Sequence, residues 1–318
     1  MKKFNKVVLT GGAGFVGSHL AEKLNKNLNF NKLIILDKLT YAASLKNLSN
    51  IKNLNFEKID ICNFNKCLKI TKNCDLLINV AAESHVDNSF GNSLNFTKTN
   101  TVGTHNLMEC ARLNNIKKII HMSTDEVFGD EIISKNYNIF NPTNPYSASK
   151  AAAEMIINSF KKSYRLPITI VRSNNIYGTR QYPEKLIPKL IVSILLNKKF
   201  PLHGKGKNIR NFVSIKDVTE IFMNILSSKI YIEEHNIISN QEYSNLSIVK
   251  MIAKKMNKDV GKVYKAIKDR PFNDKKYHLS NRKNVIFFKP KFKLELEIVE
   301  IIDWYKKNLT RFNNLSFR

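Results

Sequence analysis

An α/β architecture with a doubly wound parallel sheet is what this sequence predicts, and three observations carry the expectation. Short, continuously apolar segments alternate with amphipathic stretches through the first half of the chain. A glycine-rich turn joins the first apolar segment to the first helical one. After about Tyr177 the alternation breaks, and Pro, Lys and Asn become frequent, as in a smaller appended binding region. The expected strands are Val7–Thr10, Leu33–Leu36, Leu76–Ala81, Ile119–Ser123 and Ile168–Arg172, each apolar throughout because both faces of a parallel sheet are covered. The expected helices between them are Gly17–Leu28, Thr101–Leu113 and Ser147–Tyr164. This βαβ rhythm is that of a Rossmann sheet followed by a smaller C-terminal substrate-binding domain. Val213–Leu226 reads as a strand and helix returning to the first domain. The division expected is therefore 1–178 with 212–238 for the Rossmann domain, and 179–318 for the second.

Bulk properties narrow the class. A chain of 318 residues, 43% of them hydrophobic, buries a sizeable core and is not disordered. No apolar run approaches bilayer length, and the run after Lys2-Lys3 ends at once in Gly11-Gly12-Ala13-Gly14, without the long apolar region of a signal peptide. A cytoplasmic protein with no membrane partner is expected. The four cysteines have neither Cys-x-x-Cys nor zinc spacing, so they read as free thiols and no metal is expected. The formal charge of +26 invites nucleic acid as a partner. However, the lysines are scattered along the entire chain with no basic block, and an anionic small molecule needs only a few of them.

Gly11-Gly12-Ala13-Gly14-Phe15-Val16-Gly17 follows the first strand and opens the first helix. Gly11 suits the tight turn, Gly14 lets backbone approach a pyrophosphate, and Gly17 lets the helix pack against the strand. The helix N-terminus then faces the phosphate charge. Asp37 ends the second strand, where a carboxylate hydrogen-bonds an adenosine ribose and repels a 2′-phosphate, so NAD is favoured over NADP. Asp60 and Ile61 are placed to flank the adenine, although Asp60 alone equally suits an ordinary loop acid.

Tyr146 and Lys150 are four apart in Tyr146-Ser147-Ala148-Ser149-Lys150 and so share a helix face. Next to a nicotinamide, a tyrosinate can take the proton of a hydroxyl that is being oxidised. Free tyrosine has a pKa of about 10, so neutral-pH activity asks for a fall of about 3 units, roughly 4 kcal/mol. A cation ~5 Å away contributes about 3 kcal/mol at an effective dielectric of ~20. Lys150 and the nicotinamide charge together are expected to suffice.

Thr124-Asp125-Glu126 follows the strand ending in His121-Met122-Ser123, at a carboxyl end of the sheet where such folds bind ligands. Adjacent carboxylates exceed the needs of alcohol oxidation, but an elimination uses both. One removes a C–H proton while the other protonates the departing hydroxyl. Burial and mutual repulsion are expected to keep Asp125 protonated as the acid while Glu126 serves as base.

Taken together, these residues make the sequence resemble the extended short-chain dehydrogenase/reductases, and among them the nucleoside-diphosphate-glucose 4,6-dehydratases. The resemblance runs over nearly the whole chain, through Thr10–His19, Asp37–Tyr41, Ala81–Asp87, Thr124–Glu126, Tyr146/Lys150, Asn174–Gly178 and Pro183–Pro188. The related 4-epimerases usually carry small residues where this chain has Asp125 and Glu126. The resemblance implies NAD held by Gly11, Gly14, Phe15, Val16, Gly17, Asp37, Lys38, Thr40, Asp60, Ile61, Ala81, Ala82 and Ser84, with Tyr146 and Lys150. It implies a cycle with no net redox change. Tyr146, helped by Thr124 and Lys150, deprotonates the C4 hydroxyl as hydride leaves. Glu126 then removes the C5 proton, Asp125 protonates the C6 hydroxyl, water leaves, and hydride returns to C6. Ser84, His85, Asn175, Lys185, Leu186, Arg210, Asn245 and Arg270 match positions that hold the nucleotide sugar. A homodimer through the Thr101–Leu113 and Ser147–Tyr164 helices is also implied.

Within that family the details point in more than one direction. Asn211-Phe212 stands after Arg210 where Asp-Trp is usual in dTDP-glucose enzymes, and Phe272-Asn273 stands where Gly-His is common. Arg270–Asp274, Arg180–Lys185 and Val86–Lys98 instead resemble the UDP-glucose 4,6-dehydratase modules of rhamnose synthases, which favours a UDP-sugar. Neither the C2 substituent nor the C5 outcome follows from these residues. A 4-epimerase, or a non-catalytic polyanion binder on the same scaffold, would leave Asp125 and Glu126 without a task.

Overall fold

The computed structural model describes residues 4–130, 139–269, 274–277, 279, 284 and 286–312. Twelve strands are found among them: β1 Phe4–Thr10, β2 Phe30–Asp37, β3 Leu54–Lys58, β4 Leu76–Asn79, β5 Lys118–Met122, β6 Ile168–Ser173, β7 Asn175–Tyr177, β8 Phe200–His203, β9 Ile209–Ser214, β10 Glu234–Ile237, β11 Glu242–Ser244 and β12 Tyr264–Ile267. Seven of them make one sheet in the order β10-β6-β5-β4-β1-β2-β3, with every pair parallel. This is the doubly wound Rossmann sheet.

The apolar runs divide their side chains between the two faces, as alternate residues of a strand must. Val7, Leu9, Leu33, Ile35, Leu76 and Ile78 pack beneath the helices Phe15–Asn27 and Ile215–Ser227. Val8, Ile34, Leu36 and Leu77 pack on the other face, against Leu107, Met108, Ile157 and Phe160 of the helices Gly103–Leu113 and Pro145–Tyr164. Each fully buried side chain of this kind contributes about 1.5–3 kcal/mol. A second core gathers Leu190, Ile191, Ile252, Ile298 and Tyr305 between the helices Leu186–Leu195, Asn245–Lys255 and Leu294–Lys307.

Two local features differ from the sequence reading. The helix expected from Thr101 is preceded by helical turns from Val86, and it widens to a π turn over Thr97–Val102 before Gly103. The turn is held by Asn100, which exchanges bonds of 2.9 Å with the backbone of Glu83 and donates to Ser149 Oγ at 2.9 Å. The strand around Val213 does not enter the main sheet. It pairs with β7 and β11 in a three-stranded sheet, because β7 carries the chain away from the main sheet directly after β6. The helix Ile215–Ser227 returns to the Rossmann core, and β10 then adds to the sheet edge beside β6. Among the described residues, no helix is long and apolar enough to cross a membrane. All four cysteines are free thiols.

Candidate active site

The carboxyl ends of β1, β2, β4, β5 and β6 open into a cavity of about 380 Å³, closed on its far side by the second core's loops. The glycine turn forms its floor. Gly11 has φ +68°, and a Cβ there would stand 2.6 Å from Ala81 Cα. A Cβ on Gly17 would stand 2.1 Å from the Gly11 carbonyl oxygen, so only glycine lets the helix begin this close to the strand. That helix has no side-chain cap and no acid in its first turn, which leaves its N–H groups and positive dipole end for an anion. Asp37 accepts from the Ala13 and Leu39 N–H groups at 3.0 and 2.8 Å. Burial raises its pKa against those bonds.

Around this floor stand Phe15, Val16, Lys38, Thr40, Asp60, Ile61, Ala81, Ala82 and Ser84. Lys38 ties the ring together, reaching Thr99 Oγ1 at 3.2 Å, Asp60 at 3.7 Å and Glu83 at 3.8 Å. Burial opposes ionisation of Asp60, but the Cys62 N–H and Lys38 outweigh it and lower its pKa.

Thr124, Glu126, Tyr146 and Lys150 make one wall. Tyr146 and Lys150 are set by the helix Pro145–Tyr164, whose start is fixed by an Asn144/Ser147 capping box with Pro145 at the first helical position. Asp125 and Glu126 lie in the short 3₁₀ turn Asp125–Phe128, capped by the Thr124 side chain. Asp125 is only 3% exposed and sits just behind the lining. There it accepts from Thr124 Oγ1 at 3.1 Å and Asn174 Nδ2 at 2.9 Å. Burial first, then the neighbouring Glu126, pushes its pKa up to about 7. Glu126 is also raised by burial, but Lys185, Arg210 and Asn144 pull the other way. The two carboxyls thus share a backbone turn and meet different surroundings, one enclosed and held by neutral donors, the other facing cations.

Tyr146 departs from the simple expectation. Burial, then Glu126, raises its pKa above the ordinary value, and a bond from Thr124 opposes them. Lys150 sets its ammonium on the Met122 carbonyl at 2.6 Å, and burial pushes its pKa down to about 8. Among the protein's own groups, then, the two nearby carboxylates outweigh the lysine at this hydroxyl.

The opposite wall brings in Ser84, His85, Asn175, Lys185, Leu186, Arg210 and Asn245. Lys185 Nζ bonds the Ser84 carbonyl and so bridges the two sides of the cavity. Arg210 stacks its guanidinium 4.6 Å above the Tyr277 ring. Arg270 lies outside the described residues. Sequence reasoning passed over three groups that hold the carboxylates. Asn174 grips Asp125 while accepting from Ser239 N at 2.9 Å. Asn144 and Tyr277 each reach Glu126 Oε2 at 3.3 Å. Asn144 carried a local signal, the Asn-Pro start of a helix; Tyr277 carried none.

The family model described as GDP-mannose 4,6 dehydratase matches residues 8–298. The chain belongs to this family. A relative in Arabidopsis thaliana, named trifunctional UDP-glucose 4,6-dehydratase/UDP-4-keto-6-deoxy-D-glucose 3,5-epimerase/UDP-4-keto-L-rhamnose-reductase, is 38% identical over 99% of this chain. This chain spans 49% of that relative's length. A Dictyostelium discoideum relative named dTDP-D-glucose 4,6-dehydratase is 39% identical over 98% of this chain and 84% of its own. The crystal structure of the dTDP-glucose 4,6-dehydratase of Streptomyces venezuelae, solved with NAD bound, superposes with a TM-score of 0.92 at 30% identity, covering 98% of this chain and 100% of that one. The Rossmann sheet is thus the fold of this family.

Proposed function

We propose that this protein is an NAD-dependent nucleotide-sugar 4,6-dehydratase that converts a nucleoside-diphosphate hexose to its 4-keto-6-deoxy product. The observation that carries the reading is the meeting of Tyr146 and Lys150 with a carboxyl pair in which Asp125 titrates near neutrality while Glu126 faces Lys185 and Arg210. The glycine floor, the uncapped helix start and Asp37 suit the diphosphate and ribose of NAD. When bound, NAD supplies a two-electron acceptor that is reset within each turnover, and its ring carries the positive charge that lowers the Tyr146 pKa.

The chain's own groups then do the acid–base work. Tyr146 takes the C4 hydroxyl proton, with Thr124 bonded to its oxygen. Glu126 takes the C5 proton, made acidic by the neighbouring ketone, and later returns a proton to C5. Asp125, protonated by virtue of its enclosure, gives its proton to the C6 hydroxyl, which leaves as water. Lys185, Arg210 and Asn245 hold the nucleotide end, with Ser84, His85, Asn175 and Leu186 around the sugar. In this scheme residues 1–178 and 212–238 carry the cofactor, and 179–318 carry the nucleotide sugar.

UDP-glucose is the first substrate to expect. The Asn211-Phe212 pair after Arg210 departs from the dTDP-glucose pattern, and the Arabidopsis relative is named for UDP-glucose. A cytoplasmic homodimer accompanies the reading. Val102 and Met155 are 47% and 65% exposed on the two segments that would pair, and the free thiols suit a reducing compartment. The test is an NMR time course in deuterated water with UDP-glucose, dTDP-glucose and UDP-N-acetylglucosamine, each run separately. A C6 methyl group and a 4-keto product from one of them support the reading and name the substrate. A C4 epimer without water loss, or no turnover of any of the three, overturns it.

A further inference from the structure

Behind Lys150 the sheet carries polar side chains for which the dehydration scheme has no use. Thr10, Asn79 and His121 sit near the carboxyl ends of three neighbouring strands, β1, β4 and β5, and each is 0% exposed. Apolar side chains are the rule at such positions, and buried polar ones persist only where they bond one another. Here they do so in a continuous run. Lys150 Nζ lies 3.3 Å from His121 Nε2, and His121 Nδ1 lies 3.0 Å from the Asn79 amide. As placed, the Asn79 Nδ2 faces His121 Nδ1 and donates to Thr104 Oγ1 at 3.3 Å, while Asn79 Oδ1 accepts from Thr10 Oγ1 at 2.6 Å.

We propose that His121 is a positioning residue for Lys150: a neutral ring, protonated on Nδ1, whose Nε2 lone pair accepts from the lysine ammonium and holds it in place for the chemistry at Tyr146. The donor inventory leads there. An ammonium has donors only, so the nitrogen facing it must be bare. The neutral ring then carries its proton on Nδ1 and gives it to the Asn79 carbonyl oxygen. This choice exchanges the oxygen and nitrogen of the Asn79 amide relative to that placement, turning the nitrogen toward Thr10 and letting the Thr104 hydroxyl donate to the same carbonyl. A charged imidazole is excluded by burial and by Lys150 itself, which together push the His121 pKa well below its ordinary value. The side chains of the run, from Lys150 through His121 and Asn79 to Thr10 and Thr104, are all buried, and its last contact is the Ala81 N–H on Thr10 Oγ1 at 3.4 Å.

The arrangement sets where the lysine's charge goes. The Met122 carbonyl and His121 Nε2 take two of its three N–H groups, leaving the third for the cavity that Lys150 lines. The other charged group facing Lys150 is Glu154, one turn along its own helix, while Asp125 and Glu126 face Tyr146. Without an acceptor at Nε2, the ammonium is less well held, Tyr146 loses cationic support, and the tyrosinate forms at higher pH.

Two measurements test this. The first needs no substrate: ¹⁵N-histidine NMR of the resting protein. The expected result is a non-titrating ring with a proton on Nδ1 and a bare Nε2, absent from the His121→Gln spectrum. A proton on Nε2, or a ring that titrates near neutrality, overturns the proposal. The second rests on the dehydratase reading and compares three variants. His121→Gln can place an amide oxygen near the Nε2 position, His121→Asn reaches only the Nδ1 position, and His121→Leu supplies neither. His121→Gln is expected to keep the wild-type pH profile. His121→Asn and His121→Leu are expected to lower kcat about ten-fold at unchanged KM and to move the acid limb up by about one pH unit, the equivalent of one hydrogen bond to a charged group. Three variants with the same profile overturn the proposal. If His121→Leu fails to fold, the Gln/Asn pair and the tautomer decide. A wild-type protein that dehydrates none of the test sugars defeats the functional reading but leaves the NMR result to stand or fall alone.

Discussion

On the cofactor side the cavity is mostly backbone: the Gly11–Gly17 turn, Ala81 and Ala82, and the N–H groups that fix Asp37, all held by strands paired on both edges. On the nucleotide side it is side chains, with Lys185, Arg210, Asn245 and Tyr277 arriving from separate segments of the second core. The first side is rigid because a sheet end cannot shift without breaking its ladders, so it suits a cofactor that stays bound. The second can exchange one side chain for another without unmaking the fold, so under the proposed function substrate preference is expected to be set there. Asp125 and Glu126 sit at the seam, and each takes its protonation state from the side it faces.

The sharpest break of this contrast comes at the seam. Tyr146→Phe removes the C4 base, and Asp125→Asn combined with Glu126→Gln removes both elimination groups. Each is expected to lower kcat about 10³-fold in product NMR. Tyr146→Phe abolishes substrate-driven cofactor reduction, read by absorbance, whereas the double variant leaves it in place.

Rigidity of the sheet side has its own test. Arg172, 5% exposed, makes bonds of 3.0 and 2.6 Å to the fully buried Glu154, reaches Glu234 at 3.0 Å, and lies 5.1 Å from the Phe128 ring under the Asp125 turn. Arg172→Met strands that carboxylate, and an unfolding free energy lower by about 3–5 kcal/mol is expected in a denaturant titration.

The pH dependence separates the two carboxyls. Asp125 acts in its protonated form, so kcat is expected to fall as pH rises through about 7, and Asp125→Asn is expected to erase that limb. The same group costs stability. Its folded pKa exceeds the ordinary value of 3.8, so its contribution is fullest below that value and drains away as pH rises through about 7. Asp125→Asn should therefore stabilise the protein at alkaline pH, on the order of 2 kcal/mol in thermal melts, and much less in acid.

The smallest effect belongs to the nucleotide side. Lys185→Ala should raise KM about ten-fold with a lesser change in kcat, because its main task is to hold the ligand and the Ser84 loop. An equal fall in kcat would instead place Lys185 with the seam, through its pull on Glu126.

Much of the cofactor half was legible in the chain. Gly11 and Gly17 are close-contact positions that tolerate little else, Asp37 closes an apolar strand, and Tyr146 and Lys150 need only helical spacing to share a face. These are short-range constraints, recorded in neighbouring residues. Thr124-Asp125-Glu126 was legible as chemistry, with Asp125 the expected acid, but the groups that surround the two carboxyls, Asn174, Lys185 and Arg210, are distant in sequence and were not. The partners of the Lys150 ammonium, Met122 and His121, were not legible either, because helical spacing sets a face and not a hydrogen-bond partner. Tyr277 on Glu126, and the pairing of the Val213 strand with β7 in place of the main sheet, likewise arose only from the fold. The sequence by itself determined the sheet, the glycine turn and the reactive side chains, since periodicity and spacing act over a few residues. Tertiary structure alone decided the charge states and partners of those side chains, because desolvation and Coulomb interaction depend on distance in space, whatever the separation along the chain.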